Sequence, residues 1–75
     1  MAILAQTIEL ETDQEGEIPT GFLFASVKNI GASPVSVNGV TLDVGEAKSY
    51  PFVGKGYQAV PYVATGSGLR ILYTL

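Results

Sequence analysis

Alternating acids are the most distinctive chemistry-bearing pattern in the chain. The acids of this run are Glu9, Glu11, Asp13, Glu15 and Glu17. Counted from Glu11, acids stand at positions one, three and five and a glycine at position six, which is the spacing of a calcium-binding loop between two helices. Position twelve of such a loop should be a bidentate Glu but is Phe22, and Pro19 disfavours the second helix. We therefore interpret the segment as a solvated acidic turn or strand face, with a calcium site as the alternative.

The sequence contains few of the residue types that commonly carry out catalysis. The chain contains no Cys and no His, so it offers no thiolate or imidazole as nucleophile, general base or metal ligand. The run Gly54-Lys55-Gly56 lacks the preceding glycine and the following Ser or Thr of a phosphate-binding loop. Nothing fixes the separation of two acids for glycoside hydrolysis. We predict a protein that is not an enzyme and that uses no cofactor or metal.

Charge is distributed unevenly along the chain. Residues 1–18 carry five acids and no Lys or Arg, whereas the remaining residues carry four cations and two acids, for a net charge of −3. This asymmetry predicts that the acidic segment contacts a neutral or basic surface, in the same chain or in another, and makes Glu9, Glu11 and Asp13 interface candidates. The scattered cations argue against a nucleic-acid partner.

Membrane and export signals are also missing from the pattern. No apolar run approaches the length of a membrane span, so we expect no membrane partner. The first five residues lack the basic start of a secretory signal, and the expected compartment is the cytosol of the producing cell. The apolar residues near the start, Ile3 and Leu4, are expected to dock against a neighbouring protein, because free termini are normally polar.

Aromatic residues concentrate around one loop in the second half of the chain. The simplest expectation places Phe22, Phe24 and Phe52 in the core. A second group comprises Tyr50, Phe52, Tyr57 and Tyr62. Tyrosine suits an interface because its ring is apolar while its hydroxyl can remain hydrated. We take this second group as interface candidates, and a carbohydrate-stacking or base-stacking platform is the competing use.

Short strands must position these residues. Alternation of apolar and polar residues predicts strands over residues 2–11, 22–29, 35–37, 40–42, 47–52, 58–64 and 69–75. Asn38-Gly39 predicts a type I′ hairpin turn, since both residues tolerate positive φ. Residues 13–21 are predicted to be a turn or loop. Pro61 has no N–H for a sheet ladder, so its strand is assigned to an edge or a bulge.

The fold expected from these elements is all-β. We predict one domain, residues 1–75, that is a small β-sandwich or barrel of six to seven short antiparallel strands, of immunoglobulin-like or jelly-roll-like type. Residues 1–20 form either an acidic arm or an edge strand plus loop. A chain of 75 residues with 47% hydrophobic residues and no disulfide has little stability to spare as a lone subunit. We therefore expect a homo-oligomer or attachment to a larger partner.

Several segments of the chain resemble small all-β virion structural proteins of tailed bacteriophages. The similarity covers residues 22–75, and the segments that carry it are residues 27–31, residues 35–42, Gly45-Glu46, residues 62–66 and residues 69–73. The resemblance implies a non-enzymatic capsid cement or decoration protein, often trimeric. Its partners would be itself and a larger viral capsid or tail protein, and its location the virion, after synthesis in the host cytoplasm. The alternative is a carbohydrate- or protein-binding module of a virion fibre or secreted protein.

Overall fold

Eight strands form two antiparallel four-stranded sheets in the computed structural model, which describes residue 4 and residues 6–75. Sheet A contains, in spatial order, β1 (Thr7–Thr12), β8 (Leu69–Thr74), β3 (Phe24–Asn29) and β6 (Ala47–Tyr50). Sheet B contains β2 (Glu15–Ile18), β7 (Val60–Val63), β4 (Val35–Val37) and β5 (Val40–Leu42). The described residues include no helix. The all-β prediction is confirmed as a small β-sandwich, with eight strands rather than six or seven.

The two sheets are halves of one folded-over sheet. Each strand of sheet A is a chain neighbour of the strand at the same position in sheet B: β1 of β2, β8 of β7, β3 of β4, and β6 of β5. The connections, residues 13–14, 64–68, 30–34 and 43–46, therefore all lie at one end, which we call the corner end. The opposite end is the open end. One side of the sandwich is edged by β1 and β2, and the other by β5 and β6.

Side-chain alternation sends one face of each sheet into a shared core. In β3, Ala25 and Val27 are buried while Lys28 is exposed, and in β8 the buried Ile71 is preceded by the exposed Arg70. The buried apolar residues from both sheets and their connections are Ile18, Phe22, Ala25, Val27, Val35, Val37, Leu42, Val60, Ala64, Leu69 and Ile71.

Asn29 ties the corner end together. Its side chain is almost fully buried, and its Nδ2 donates to the carbonyl oxygens of Ser33 at 2.9 Å and Leu42 at 3.0 Å. Its Oδ1 accepts from the Gly31 N–H at 2.9 Å. The Ser67 hydroxyl donates to the Ser33 carbonyl at 2.6 Å, which joins the 64–68 connection to the 30–34 connection. Because a buried amide is tolerated only when its polar atoms are bonded, these bonds hold the 30–34 connection, the 64–68 connection and the end of β5 together.

The hairpin predicted at Asn38-Gly39 is confirmed. Both residues have positive φ, 53° for Asn38 and 78° for Gly39, and Val37 pairs with Val40 across the turn. This is the backbone of a type I′ turn, whose twist matches that of the flanking strands. The turn directs β5 back along β4 as the edge of sheet B.

The loop predicted over residues 13–21 is wrong in part, because Glu15–Ile18 forms β2 and pairs with all four residues of β7. The segment carries a glycine and two exposed acids, so its own pattern does not predict a strand. Its register places Gly16 opposite Tyr62, and a Cβ at Gly16 would lie 2.7 Å from the Tyr62 hydroxyl. The tyrosine ring thus covers the bare backbone, and this cross-strand packing stabilises β2.

The edge or bulge assigned to the Pro61 strand is also wrong, since β7 lies between β2 and β4. The Pro61 carbonyl accepts from the Asn38 N–H at 2.7 Å. In an extended strand the nitrogen and carbonyl of one residue face the same side, so the Pro61 nitrogen also faces the hairpin turn. The ladder between β7 and β4 includes only Ser36 and Val37 of β4. Proline is tolerated here because the ladder has ended where its missing N–H would point.

Candidate functional site

The five acids follow one edge of the sandwich from sheet A to sheet B. Glu9 and Glu11 lie on the outer face of β1, and Glu15 and Glu17 on the outer face of β2, all exposed. Asp13 lies between them at the corner. We call these five residues the acidic edge. Their alternation along a bent strand explains both the spacing in the sequence and the exposure of every carboxylate.

The acidic edge is only partly neutralised within the chain. Arg70 of β8 lies opposite Glu11 and contacts its Oε2 through Nε and Nη2, both at 2.8 Å, with both side chains more than half exposed. Glu9 instead faces Leu72 in the neighbouring strand. In sheet B, Glu15 faces Val63 and Glu17 faces Pro61. The cross-strand neighbours of these three acids are therefore apolar, and the carboxylates are left to solvent or a partner.

The calcium alternative gains no support from the geometry of the acidic edge. Successive outward residues of a strand are about 6.7 Å apart, and the edge turns a corner at residues 13–14. Within residue 4 and residues 6–75, no group of three or more Asp, Glu, His or Cys side chains is placed to hold a metal ion. A shallow depression of about 600 Å³ runs beside the edge and is lined by Glu9, Leu10, Glu11 and Arg70.

Tyr50 and Tyr57 pack with Phe22 at the open end of the core. The rings of Phe22 and Tyr57 stack with centroids 4.8 Å apart and 6° between planes, and Tyr50 meets each of them edge-on. The Tyr57 hydroxyl donates to the Pro51 carbonyl at 2.7 Å. The Tyr50 hydroxyl is buried without a hydrogen-bond partner. One face of Tyr57 is thus occupied by Phe22 and is closed to a stacking sugar.

Phe52 and Tyr62 lie apart from that cluster. The core position expected for Phe52 is wrong, because its side chain is 63% exposed in the loop after β6. Residues 51–56 around it are all exposed, and Gly54 takes a positive φ of 90°. Tyr62 is half-buried on β7 and lines a shallow groove beside Gly16. Their interface roles remain predictions.

Four large exposed apolar side chains lie at the open end of sheet A. Leu4 precedes β1, Leu75 follows β8, and Phe52 and Val53 follow β6, so all four lie where the strands of sheet A meet that end. All four are large exposed hydrophobics. The Leu75 N–H donates to the Gln6 carbonyl at 2.9 Å, which joins the residue before β1 to the residue after β8. We call Leu4, Phe52, Val53 and Leu75 the apolar end patch. Ile3, the other predicted docking residue, lies outside the described residues.

The sequence pattern does not single out Val53 or Lys28. Val53 sits in a Gly-rich loop that carries no periodic signal. Lys28 alternates with core residues of β3 and reads as an ordinary exposed lysine, but its register places it directly opposite Arg70. Only the pairing of β3 with β8 reveals that two cations are neighbours.

No helix within residue 4 and residues 6–75 is long and apolar enough to cross a membrane. A scan against known protein families, a search of curated proteins and a search of solved structures each returned no match.

Proposed function

We propose that this chain is a non-enzymatic structural subunit of a tailed-phage virion, a capsid cement or decoration protein that acts through protein–protein contacts. The observation that carries the proposal is the apolar end patch. Its side chains come from three strand ends that are far apart in the sequence, and their exposed fractions are 85% for Leu4, 63% for Phe52, 59% for Val53 and 42% for Leu75. Several large exposed apolar side chains at one end of a small domain are typical of protein docking sites.

The occupant we assign to the patch is a larger capsid or tail protein. The patch lies at one end of the sandwich, where it leaves both sheet edges accessible, so a subunit can stand on a lattice and still contact its neighbours. Many copies that each make small contacts add up to a stable shell, because attachment at one point raises the effective concentration at the others. The absence of His and Cys from the sequence supports a role without catalysis.

Particle binding tests this role. Phage particles that lack the protein are mixed with the purified chain, and bound protein is measured after sedimentation of the particles. We expect the double variant Phe52→Ser with Val53→Ser to bind at least about tenfold more weakly, since two apolar side chains lose their buried contacts.

The matched control is Val44→Ser. Val44 is 54% exposed, similar to Val53, but lies in the 43–46 connection at the corner end. This variant should bind particles as the unchanged chain does. Equal binding by the Phe52 and Val53 double variant would overturn the proposed docking site. Binding of a sugar by the free protein, with no affinity for particles, would favour the carbohydrate-binding alternative.

A further inference from the structure

The edge strand β1 presents hydrogen-bonding backbone groups on its outer side. The Leu75 N–H donates to the Gln6 carbonyl, so the backbone of Gln6 faces β8. Backbone groups of successive residues point alternately to the two sides of a strand. Thr7, Glu9 and Glu11 therefore direct their N–H and carbonyl groups away from β8, where no described strand lies.

The other edge of sheet A, β6, is equally available. The Asn29 N–H donates to the Glu46 carbonyl at 2.9 Å, so Glu46 faces β3 and the alternation turns Ala47 and Ser49 outward. No described strand pairs with that side of β6. Because all neighbours in sheet A are antiparallel, β1 and β6 run in opposite directions. A copy placed beside this one without turning over would continue the sheet in antiparallel order.

Opposite uncompensated charges lie near these two edges. On the outer face, Lys28 sits between Arg70 and Ala47 in the neighbouring strands. Arg70 is paired with Glu11, whereas Lys28 makes no ion pair within the described part of the chain. Two cations directly opposite each other destabilise a sheet unless anions are near. Glu9 is an anion without a cation opposite it, since its cross-strand neighbour is Leu72.

We propose that copies of this chain associate head to tail, with β1 of one subunit pairing antiparallel with β6 of the next. In the register that uses these charges, Glu9 lies opposite Ala47 and its carboxylate meets Lys28 of the same neighbouring copy. Strands are about 4.8 Å apart, and Ala47 lies between Glu9 and Lys28. The α-carbons of Glu9 and Lys28 are therefore about 10 Å apart, and their long side chains meet above the small Ala47. The same register sets Thr7 opposite Ser49. Both pairs join outward-facing residues, so the core faces of the two sheets stay aligned.

Charge disfavours the symmetric pairing of two β1 edges. That arrangement would set Glu9 opposite either Glu9 or Glu11 of the other copy, and like charges directly opposite each other are unfavourable. A head-to-tail contact uses two different surfaces, and it gives a ring where the rotation between copies closes and an open filament where it does not. The inference rests on the proposed function insofar as that function requires a self-associating subunit, but it concerns the sheet edges and leaves the apolar end patch free.

Charge exchange tests the contact. Sedimentation velocity is measured on the full chain and on Glu9→Lys, Lys28→Glu and the double exchange, at low and high salt. The unchanged chain should sediment as an oligomer at micromolar concentration. Each single variant should weaken association about tenfold, because the pair becomes a like-charge contact. The double exchange should restore association to within about threefold of the unchanged chain, and its salt dependence should return.

Two further variants make the outcome decisive. Lys55→Glu makes the same charge change in an exposed loop and should leave association unchanged. Ser49→Pro removes an outward N–H from the β6 edge and should abolish association while circular dichroism shows a folded β protein. A monomeric unchanged chain, or a double exchange no better than the single variants, overturns the inference. Particle binding by such a monomer would leave the proposed function standing, whereas a normal oligomer that does not bind particles would count against that function alone.

Discussion

Asn29 is the residue on which the corner end depends most. Its carboxamide bonds to three backbone groups, two from the 30–34 connection and one from the end of β5, and it is the one buried polar side chain among the described residues. Removal of the amide would leave the carbonyls of Ser33 and Leu42 with fewer donors and would open a small cavity. The side chain therefore contributes to stability through several neighbours at once.

We expect Asn29→Ala to lower the free energy of unfolding by about 2–4 kcal/mol, from lost hydrogen bonds and unsatisfied buried carbonyls. Urea unfolding followed by circular dichroism measures the change. Ser36→Ala, on the outer face of β4, serves as the control and should stay within about 0.5 kcal/mol of the unchanged chain. Equal stability of the two variants would show that the corner does not depend on the Asn29 amide.

The stability of the fold should respond differently to loss of the hydroxyl at Tyr57 and at Tyr50. Tyr57→Phe removes a hydrogen bond to the Pro51 carbonyl and should cost about 1 kcal/mol. Tyr50→Phe removes a buried hydroxyl that has no partner, so it should be neutral or stabilising. The two variants make the same chemical change within one aromatic cluster, and each controls for the other. Thermal and urea unfolding that rank them in the reverse order would contradict this assignment.

At the scale of elements, the corner connections approach too closely for side chains at some positions. A Cβ at Gly31 would clash with the Ser67 side chain and with the backbone nitrogen of Gly68. The Ile30 N–H also donates to the Gly68 carbonyl at 3.0 Å, so the two connections are bonded where they touch. A methyl group at Gly31 would separate the connections between β3 and β4 and between β7 and β8.

We expect Gly31→Ala to destabilise the fold by about 3 kcal/mol or more, because backbone atoms must shift to admit the methyl group. Gly16→Ala is the comparison, since its Cβ would meet the end of the Tyr62 side chain, which can move. That variant should cost about 1 kcal/mol or less. Urea titrations of both proteins decide the order, and a milder effect at Gly31 would refute the close approach.

At the scale of the whole molecule, self-association should contribute to stability. A folded state that binds its own copies is stabilised by mass action, so its melting temperature rises with protein concentration. We expect a rise of about 2–5 °C for each tenfold increase in concentration, and a smaller rise for Lys28→Glu. Differential scanning calorimetry over a hundredfold range of concentration gives the slope. Identical slopes for the two proteins would show that Lys28 lies outside the self-association contact.

Elements whose signals are local can be predicted from the residues alone. The Asn38-Gly39 turn follows from the φ preferences of two residues, and the exposure of Glu9 and Glu11 follows from alternation within β1. The all-β class follows from the frequent turn residues, which leave no stretch with a helical period. The surface position of the acidic residues is also predictable from the sequence, since charged side chains on a half-buried strand must face water.

Tertiary structure alone decided the features that depend on distant partners. β2 becomes a strand because β7 supplies its ladder and Tyr62 covers Gly16, while Pro61 enters an interior strand because the neighbouring ladder ends beside it. The buried role of Asn29 and the meeting of Lys28 with Arg70 are set by strand order, which residue patterns do not encode. The apolar end patch arises likewise from strand ends far apart in sequence. Pairing of residues across long separations fixes these features, and only the folded chain brings those residues together.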